Sequence, residues 1–224
     1  MSNRKVEITE NLQEVKERIN SAAKSVGRDP TEIQLIVVTK TFPISDIEIL
    51  RELGESNFGE NRDQEAGPKA ETIRATWHFQ GQIQSNKIKS ISQWADVIHS
   101  ISSEKEVLKF AQSPRAHKVF LQVSLDGQVG RGGASPADLT QLAELVNQRS
   151  NLELLGLMAV APLGVEPNKA FAELAEINQG FASQYPNSKY LSAGMSGDFE
   201  AAITHGATHI RVGSSILGSR PTPQ

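Results

Sequence analysis

The chain has 224 residues, and its formal net charge of −3 gives no electrostatic case for binding nucleic acid. Cysteine is absent, which excludes disulfides, thiolate nucleophiles and cysteine-bound metals. The N-terminus has no apolar signal region and no apolar run is long enough to span a bilayer, so we expect a cytoplasmic protein without membrane contact.

Strand patterns and helix patterns alternate along the whole chain. The first helix is predicted over residues 9–26 with Thr9 capping its start, and the apolar run 33–40 predicts a strand covered on both faces. Capping boxes at Ser45 and Ser103 open two of the later helices. The remaining strands are predicted at 57–59, 77–81, 96–101, 117–125, 152–160, 190–193 and 208–212.

Eight such alternations in a chain of this length predict a single-domain α/β fold, the (β/α)8 TIM barrel. An open, doubly wound sheet is the alternative, because the spatial order of strands is not visible in a sequence. We expect one domain over residues 1–224, with flexible ends at about 1–8 and 219–224.

Lys40 ends the first predicted strand, at the edge where α/β folds bind ligands. By itself the segment favours a lysine that marks the exit of the chain into water, since lysines are mostly exposed. The other interpretation is a partly desolvated amine that forms a Schiff base with a carbonyl group, because burial makes the neutral nucleophile available.

Two loops rich in small residues follow the seventh and eighth strands, at 194–197 and 213–215. Each loop alone is better explained as a simple turn. In a barrel, however, these two positions commonly bind phosphate, and backbone N–H groups of small residues can approach an anion closely. Together with Lys40 they favour a ligand that carries both a phosphate and a carbonyl, and pyridoxal 5′-phosphate (PLP) meets both requirements.

Three further side chains are candidates for contact with such a ligand. An inward-facing Arg211 would donate to the pyridine nitrogen and weaken the ring as an electron sink, whereas an outward-facing one would only cover a helix. Asn61 could hold the phenolic oxygen or the imine of the ligand, or cap the helix that follows. His78 could line the ring, or be a core histidine whose hydrogen bonds are satisfied by the backbone.

Two other patterns carry less chemistry. His205 and His209 have an i, i+4 spacing, but Gly206 argues against a helix that would bring them together, so we expect no zinc site. The glycine-rich segment 127–133 lacks the ending of a nucleotide-binding loop, and we expect a mobile loop at the barrel mouth.

A family resemblance rests on seven short segments: Val38-Thr39-Lys40-Thr41, Phe58-Gly59-Glu60-Asn61, Trp77-His78-Phe79, Gln84-Ser85-Asn86-Lys87, Gly156-Leu157-Met158, Leu191-Ser192-Ala193-Gly194-Met195-Ser196 and Arg211-Val212-Gly213. In this order they resemble the YggS/PROSC family of pyridoxal phosphate homeostasis proteins over nearly the whole chain. The resemblance implies a barrel like the N-terminal domain of alanine racemase, with PLP on Lys40 as a Schiff base. It also implies that Ser196, Gly213 and Ser214 bind the phosphate and that Arg211 faces the pyridine nitrogen.

The resemblance leaves the choice between a carrier and an enzyme. A carrier would hold PLP for vitamin B6 and amino or keto acid balance and would have PLP-dependent apo-enzymes as partners. A racemase for small amino acids needs a second base, which in the racemases comes from a tyrosine of a second domain. Tyr185 and Tyr190 are both predicted away from the site, and the chain ends at Gln224, so we favour a monomeric carrier without turnover. The family often has lysine where Arg131 stands, which leaves the role of that position open, and a barrel that binds another phosphorylated metabolite without a Schiff base is the third possibility.

Overall fold

Eight short apolar segments form parallel strands that pair in chain order, and the first strand closes on the eighth. The computed structural model describes residues 3–128 and 132–219. Closure confirms the predicted (β/α)8 barrel, and the open sheet is wrong because β1 pairs with both β2 and β8. The strands are β1 (Gln34–Val38), β2 (Asn57–Glu60), β3 (Thr76–Phe79), β4 (Val97–Ile101), β5 (His117–Gln122), β6 (Leu152–Met158), β7 (Tyr190–Ser192) and β8 (His209–Val212).

Helices follow the strands and cover the outside of the barrel. Their buried faces and the outward-facing strand residues form one continuous apolar core, as expected when helices pack on a parallel sheet. The helices are α1 (Asn3–Ser25), α2 (Ile44–Glu52), α3 (Asp63–Thr72), α4 (Ile88–Trp94), α5 (Glu104–Phe110), α6 (Leu139–Asn147), α7 (Pro167–Gln184), α8 (Phe199–Thr204) and α9 (Ser214–Leu217).

Helix α1 begins six residues earlier than the sequence analysis predicts. Thr9 is therefore not a cap but an interior residue, whose hydroxyl donates to the Lys5 carbonyl. Arg4 anchors the first turn, since its guanidinium forms a 2.6 Å ion pair with Asp46 of α2. Residues 3–8 belong to this helix, and the flexibility of the chain ends stays a prediction.

The two predicted capping boxes have different outcomes. At Ser103 both reciprocal hydrogen bonds are present and α5 begins at the next residue, which confirms that prediction. At Ser45 the prediction is wrong, because α2 begins at Ile44 directly after Pro43. Proline supplies a fixed φ that suits a helix start, while the carboxylate of Asp46 accepts from Arg4.

The interior of the barrel contains little apolar volume. A separate cluster of four residues, Val97, Phe120, Leu155 and Met158, packs there. Four hydrogen-bonded polar side chains, His78, His99, Ser192 and Arg211, are also buried in the interior, which is unusual for a barrel because its inner layers are mostly branched apolar residues. Polar groups placed this deep must be paired, so their positions are closely constrained.

The described residues include no membrane-spanning helix and no metal-binding cluster. None of their helices is long and apolar enough to cross a membrane. Within the same residues, no group of histidine and carboxylate side chains is arranged to hold a metal ion. Residues 129–131 of the glycine-rich segment, with Arg131, lie outside the described part of the chain.

Candidate functional site

A cavity of about 280 Å³ lies at the carboxyl end of the barrel, close to the lower limit of roughly 300 Å³ for small-ligand pockets. Six of the seven predicted site residues line it: Lys40, Asn61, Ser196, Arg211, Gly213 and Ser214. Gln80 and the apolar side chains of Phe42, Met158 and Met195 complete much of the wall. An amine, several hydroxyl and amide groups and a guanidinium therefore share one small cavity.

Lys40 lies two residues beyond β1, where it is half-buried. Thr39 anchors the chain before it, because its hydroxyl donates to Glu60 Oε1 at 2.7 Å. Thr41 follows with φ of 69°, a left-handed conformation that is strained for a β-branched residue. The Thr41 N–H donates to Glu65 Oε2 at 2.9 Å, so the turn is tied on both sides of the amine.

A buried ion pair lies directly behind this turn. Lys69 Nζ donates to Glu60 Oε1 at 2.7 Å and to the Thr39 carbonyl at 2.8 Å. Burial raises the pKa of the Glu60 carboxyl above its ordinary value, while the charge and hydrogen bond of Lys69 act in the opposite direction. Because Glu60 is fully buried, the pair depends on the hydrogen bonds that it makes.

Asn61 and Gln80 each bring an unpaired polar atom to the cavity. Asn61 Oδ1 and Gln80 Nε2 are buried without a hydrogen-bond partner among the described residues. Such orphaned groups cost free energy unless a ligand or water satisfies them. One acceptor and one donor are thus available to a bound polar molecule.

The two loops of small residues form the opposite wall. Ser196 Oγ accepts from the N–H groups of Gly213 and Ser215, at 3.2 and 3.4 Å. A side chain at residue 213 would crowd the Val38 carbonyl, since a Cβ there would lie 3.0 Å from that oxygen. Backbone donors and a hydroxyl group therefore converge closely enough to bind an anion such as a phosphate.

Arg211 faces inward, which the sequence alone left open. Its guanidinium donates to Ser192 Oγ at 2.7 Å and to the Ala159 carbonyl at 2.9 Å, and it also lines the cavity. Burial lowers the pKa of Arg211 to about 10, so the side chain is still charged at neutral pH. The site therefore has a buried cation that two hydrogen bonds hold in place.

The prediction that His78 lines the same cavity is wrong. His78 is inside the barrel, but its Nε2 hydrogen-bonds Asn57 Oδ1 at 3.1 Å and it lines a different cavity at the amino end. Side chains that point inward alternate along a strand, so the next inward position on this strand's extension is Gln80. Gln80 takes the place in the cavity that the sequence analysis gave to His78.

Sequence reasoning missed Gln80, although a signal was available. Counting by two from His78 would have identified it as the inward-facing residue nearest the carboxyl end. Cavity volume alone would not select this site. Larger cavities of about 680 and 820 Å³ lie between α3 and α4 and at the amino end of the barrel, respectively. The smaller cavity is distinguished by its chemistry.

Comparisons with known proteins agree with the fold and with the motif pattern. The family model described as alanine racemase, N-terminal domain matches residues 10–221. A pyridoxal phosphate homeostasis protein of Corynebacterium glutamicum is 42% identical over 216 residues, which cover 91% of this chain and 98% of that protein. A relative of the same name from Vibrio cholerae is 35% identical and covers 95% of this chain and 96% of its own length.

A solved structure extends the likeness to a protein with its ligand. PipY of Synechococcus elongatus, solved with PLP bound, has a TM-score of 0.76 and 34% identity, and the match covers 91% of this chain and all of PipY.

Proposed function

The chain belongs to the pyridoxal phosphate homeostasis proteins, within the alanine racemase N-terminal domain family, and from that premise we propose that it binds PLP covalently on Lys40. The observation that carries the proposal is that Lys40, the Ser196 and Gly213 loops and Arg211 line one cavity. These groups match the aldehyde, the phosphate and the pyridine nitrogen of PLP.

Lys40 is the residue that would form the covalent bond. Its amine would attack the aldehyde carbon of PLP, and the oxygen would leave as water when the Schiff base forms. The anchored turn of Thr39 and Thr41 supports this role, because a fixed backbone limits the positions that the long lysine side chain can reach.

The phosphate would lie against Ser196, Gly213 and Ser214. The N–H groups that now donate to Ser196 Oγ are close enough together to be shared with a phosphate oxygen. The orphaned Asn61 Oδ1 and Gln80 Nε2 support a polar contact at the other side of the ring. We assign Asn61 to the imine or the phenolic oxygen of PLP, because Asn61 and Lys40 line the same cavity.

Arg211 determines what the bound cofactor can do. A guanidinium can only donate hydrogen bonds, so a pyridine nitrogen facing Arg211 would accept and stay unprotonated. PLP supplies an electron sink for amino acid chemistry when bound, and an unprotonated ring is a weaker sink. This supports a protein that holds PLP for vitamin B6 and for amino and keto acid homeostasis rather than one that turns over a substrate.

The positions of the two tyrosines also favour a carrier over a racemase. Tyr185 donates to the Thr140 carbonyl on the outside of the barrel, and Tyr190 lines the amino-end cavity. Neither of them lies at the cavity of Lys40, so neither offers the second base of a racemase. We further propose that the protein works as a cytoplasmic monomer and that PLP-dependent apo-enzymes receive its cofactor.

The direct test uses the purified protein reconstituted with PLP. We expect a yellow protein whose absorbance band disappears on borohydride reduction, and a mass increase on the peptide that contains Lys40. Lys40→Ala should be colourless, while the matched control Lys89→Ala, at an exposed lysine of α4, should keep the colour. A wild-type protein that stays colourless after reconstitution would contradict the proposal.

Two further measurements separate the alternatives. Sustained loss of optical rotation with L-alanine or another small amino acid would overturn the carrier in favour of a racemase. A phosphorylated ligand that dialysis removes while Lys40 remains unmodified would indicate a barrel that binds another metabolite without a Schiff base.

A further inference from the structure

Five polar side chains form an unbroken row of hydrogen bonds across the interior of the barrel. Arg211 Nη1 and Ser192 Oγ are 2.7 Å apart, and Ser192 Oγ and His99 Nδ1 are 2.9 Å apart. His99 Nε2 then lies 2.9 Å from His78 Nδ1, and His78 Nε2 lies 3.1 Å from Asn57 Oδ1. The row thus runs from the candidate PLP cavity to the cavity at the amino end.

The chemistry of the two ends gives the row a single direction. Arg211 can only donate, and an amide oxygen such as Asn57 Oδ1 can only accept. Because Asn57 Oδ1 accepts, His78 donates from Nε2. A neutral His78 then accepts at Nδ1 from His99 Nε2, and a neutral His99 accepts at Nδ1 from Ser192 Oγ.

This direction determines where the protons are. Ser192 accepts from Arg211 and gives its own proton to His99 Nδ1, so His99 carries its proton on Nε2. His99 in turn donates to His78 Nδ1, and His78 donates from Nε2 to Asn57. Each neutral ring therefore carries its proton on Nε2. A second proton on His78 Nδ1 would face the N–H of His99, and the complete burial of His99 disfavours its charged form.

The surroundings of the two rings agree with neutral histidines. Burial lowers the pKa of His78 to about 3 and that of His99 well below its ordinary value. The charges of Arg211 and of His209 when protonated act in the same direction on His99. The His99 ring also stacks on Phe120 at 4.7 Å between centroids, which holds it in register with both neighbours.

We infer that Ser192, His99 and His78 form a one-directional relay that positions the Arg211 guanidinium for the ring nitrogen of PLP. The inference rests on the proposed function for the identity of the ligand. In the described part of the chain no ion pair joins Arg211 to a carboxylate, and its two hydrogen bonds go to neutral acceptors, Ser192 Oγ of the relay and the Ala159 carbonyl. The arginine thus keeps its full positive charge in the cavity. Ser192, His99 and His78 act through Arg211 and are positioning residues.

Substitution of His99 gives the sharpest test. His99→Phe keeps a ring that can stack on Phe120 but breaks the relay on both sides, whereas His99→Gln retains one acceptor and one donor. We expect His99→Phe to weaken PLP binding about tenfold through the unpaired groups it leaves and to shift the absorbance maximum of bound PLP. His99→Gln should restore part of both effects.

His117→Phe is the matched control for a merely structural effect. His117 is also buried, with hydrogen bonds to the Ala95 carbonyl and Ser113 Oγ and an edge contact with Phe110. It lies outside the relay. We expect this variant to lower the Tm as much as His99→Phe does, while its PLP affinity and absorbance maximum remain those of the wild type.

A second measurement needs no PLP. Nitrogen-15 NMR of the histidine rings at pH 7 should show His78 and His99 as neutral Nε2–H tautomers, and Ser192→Ala should shift both while leaving His117 unchanged. Rings that are charged or carry their proton on Nδ1 would overturn the relay. The relay would also be overturned if His99→Phe bound PLP with the affinity and the absorbance maximum of the wild type. A wild type that does not bind PLP would contradict the proposed function instead, and the NMR spectra would still decide the relay.

Discussion

The side chain of Gln80 packs directly against Gly59, since a Cβ added at Gly59 would lie 2.7 Å from Gln80 Nε2. Gly59 therefore leaves room for the amide that lines the candidate PLP cavity. The atom that would be displaced is the end of a flexible side chain, so Gly59→Ala should change the free energy of unfolding by less than about 1 kcal/mol. PLP affinity should nevertheless fall to the level of Gln80→Ala, as measured by absorbance titration.

Gly81 provides the contrasting case. A Cβ there would lie 2.3 Å from the backbone carbonyl oxygen of Asn61, which no side-chain movement can relieve. Gly81→Ala should therefore reduce the free energy of unfolding by more than about 2 kcal/mol. Equal stability of the Gly59 and Gly81 variants in urea denaturation would contradict this distinction.

Ser196→Ala tests the phosphate wall. The substitution removes the oxygen that accepts from Gly213 and Ser215 and a hydroxyl that would donate to the phosphate. We expect PLP affinity to fall roughly 10- to 100-fold, the effect of losing a charge-assisted hydrogen bond. Pyridoxal, which lacks the phosphate, should bind the variant and the wild type equally well. An equal loss for both ligands would show that Ser196 acts on the fold instead.

Lys69→Met tests the buried ion pair. Without Lys69, the Glu60 carboxylate loses its opposite charge, so we expect a loss of about 3–5 kcal/mol in the free energy of unfolding near neutral pH. The folded-state pKa of Glu60 is already raised and should rise further in the variant. The folded variant then binds a proton that the unfolded chain does not, and its penalty is present above the folded pKa and fades as pH falls.

Urea denaturation of the wild type and the variant at pH 5 and pH 8 measures this effect. The stability difference between the two proteins should be smaller at pH 5 than at pH 8. Glu60→Gln/Lys69→Met removes the ionisable pair altogether, so this variant should lose less stability between pH 5 and pH 8 than Lys69→Met does. A gap that widens at pH 5 would rule out Glu60 as its source.

Thr41→Gly tests the strained turn after Lys40. Relief of the left-handed conformation should stabilise the fold by about 1–2 kcal/mol, partly offset by the greater freedom of glycine in the unfolded chain, about 0.5–1 kcal/mol. The Tm should therefore be equal to or slightly above that of the wild type. Thr41→Ala retains a Cβ at positive φ and should not gain. A lower Tm for the glycine variant would mean that the turn is not strained.

The sequence predicted the barrel because strand patterns and helix patterns alternate eight times along the chain. Lys40, Ser196 and Gly213 are candidates from sequence alone because they stand within four residues of the carboxyl ends of predicted strands. His78 was misplaced because the type of a residue does not reveal its depth along the barrel axis. Gln80 was missed although alternation from His78 points to it, and the space for its amide next to Gly59 depends on the register of two strands, which a sequence does not show.

Short capping motifs at the helix ends also do not show which distant residues contact them. Ser103 and Ser45 both open a matching motif, but Pro43 starts α2 earlier and Arg4 engages the carboxylate of Asp46. The partner of Asp46 lies 42 positions away in the chain, so no short window could contain it. Tertiary contacts of this kind also explain why α1 begins at Asn3.

The two hydrogen bonds of Arg211 have a consequence for the integrity of the barrel wall. β7 is the shortest strand, with three residues, and Arg211 of β8 reaches across it to the Ala159 carbonyl beyond β6. The side chain is thus a tie that spans three strands at the place where the wall has least backbone pairing. Removal of Arg211 should accelerate amide hydrogen exchange around Tyr190–Ser192 as well as weaken ligand binding, so recognition of the ring and closure of the barrel depend on one guanidinium.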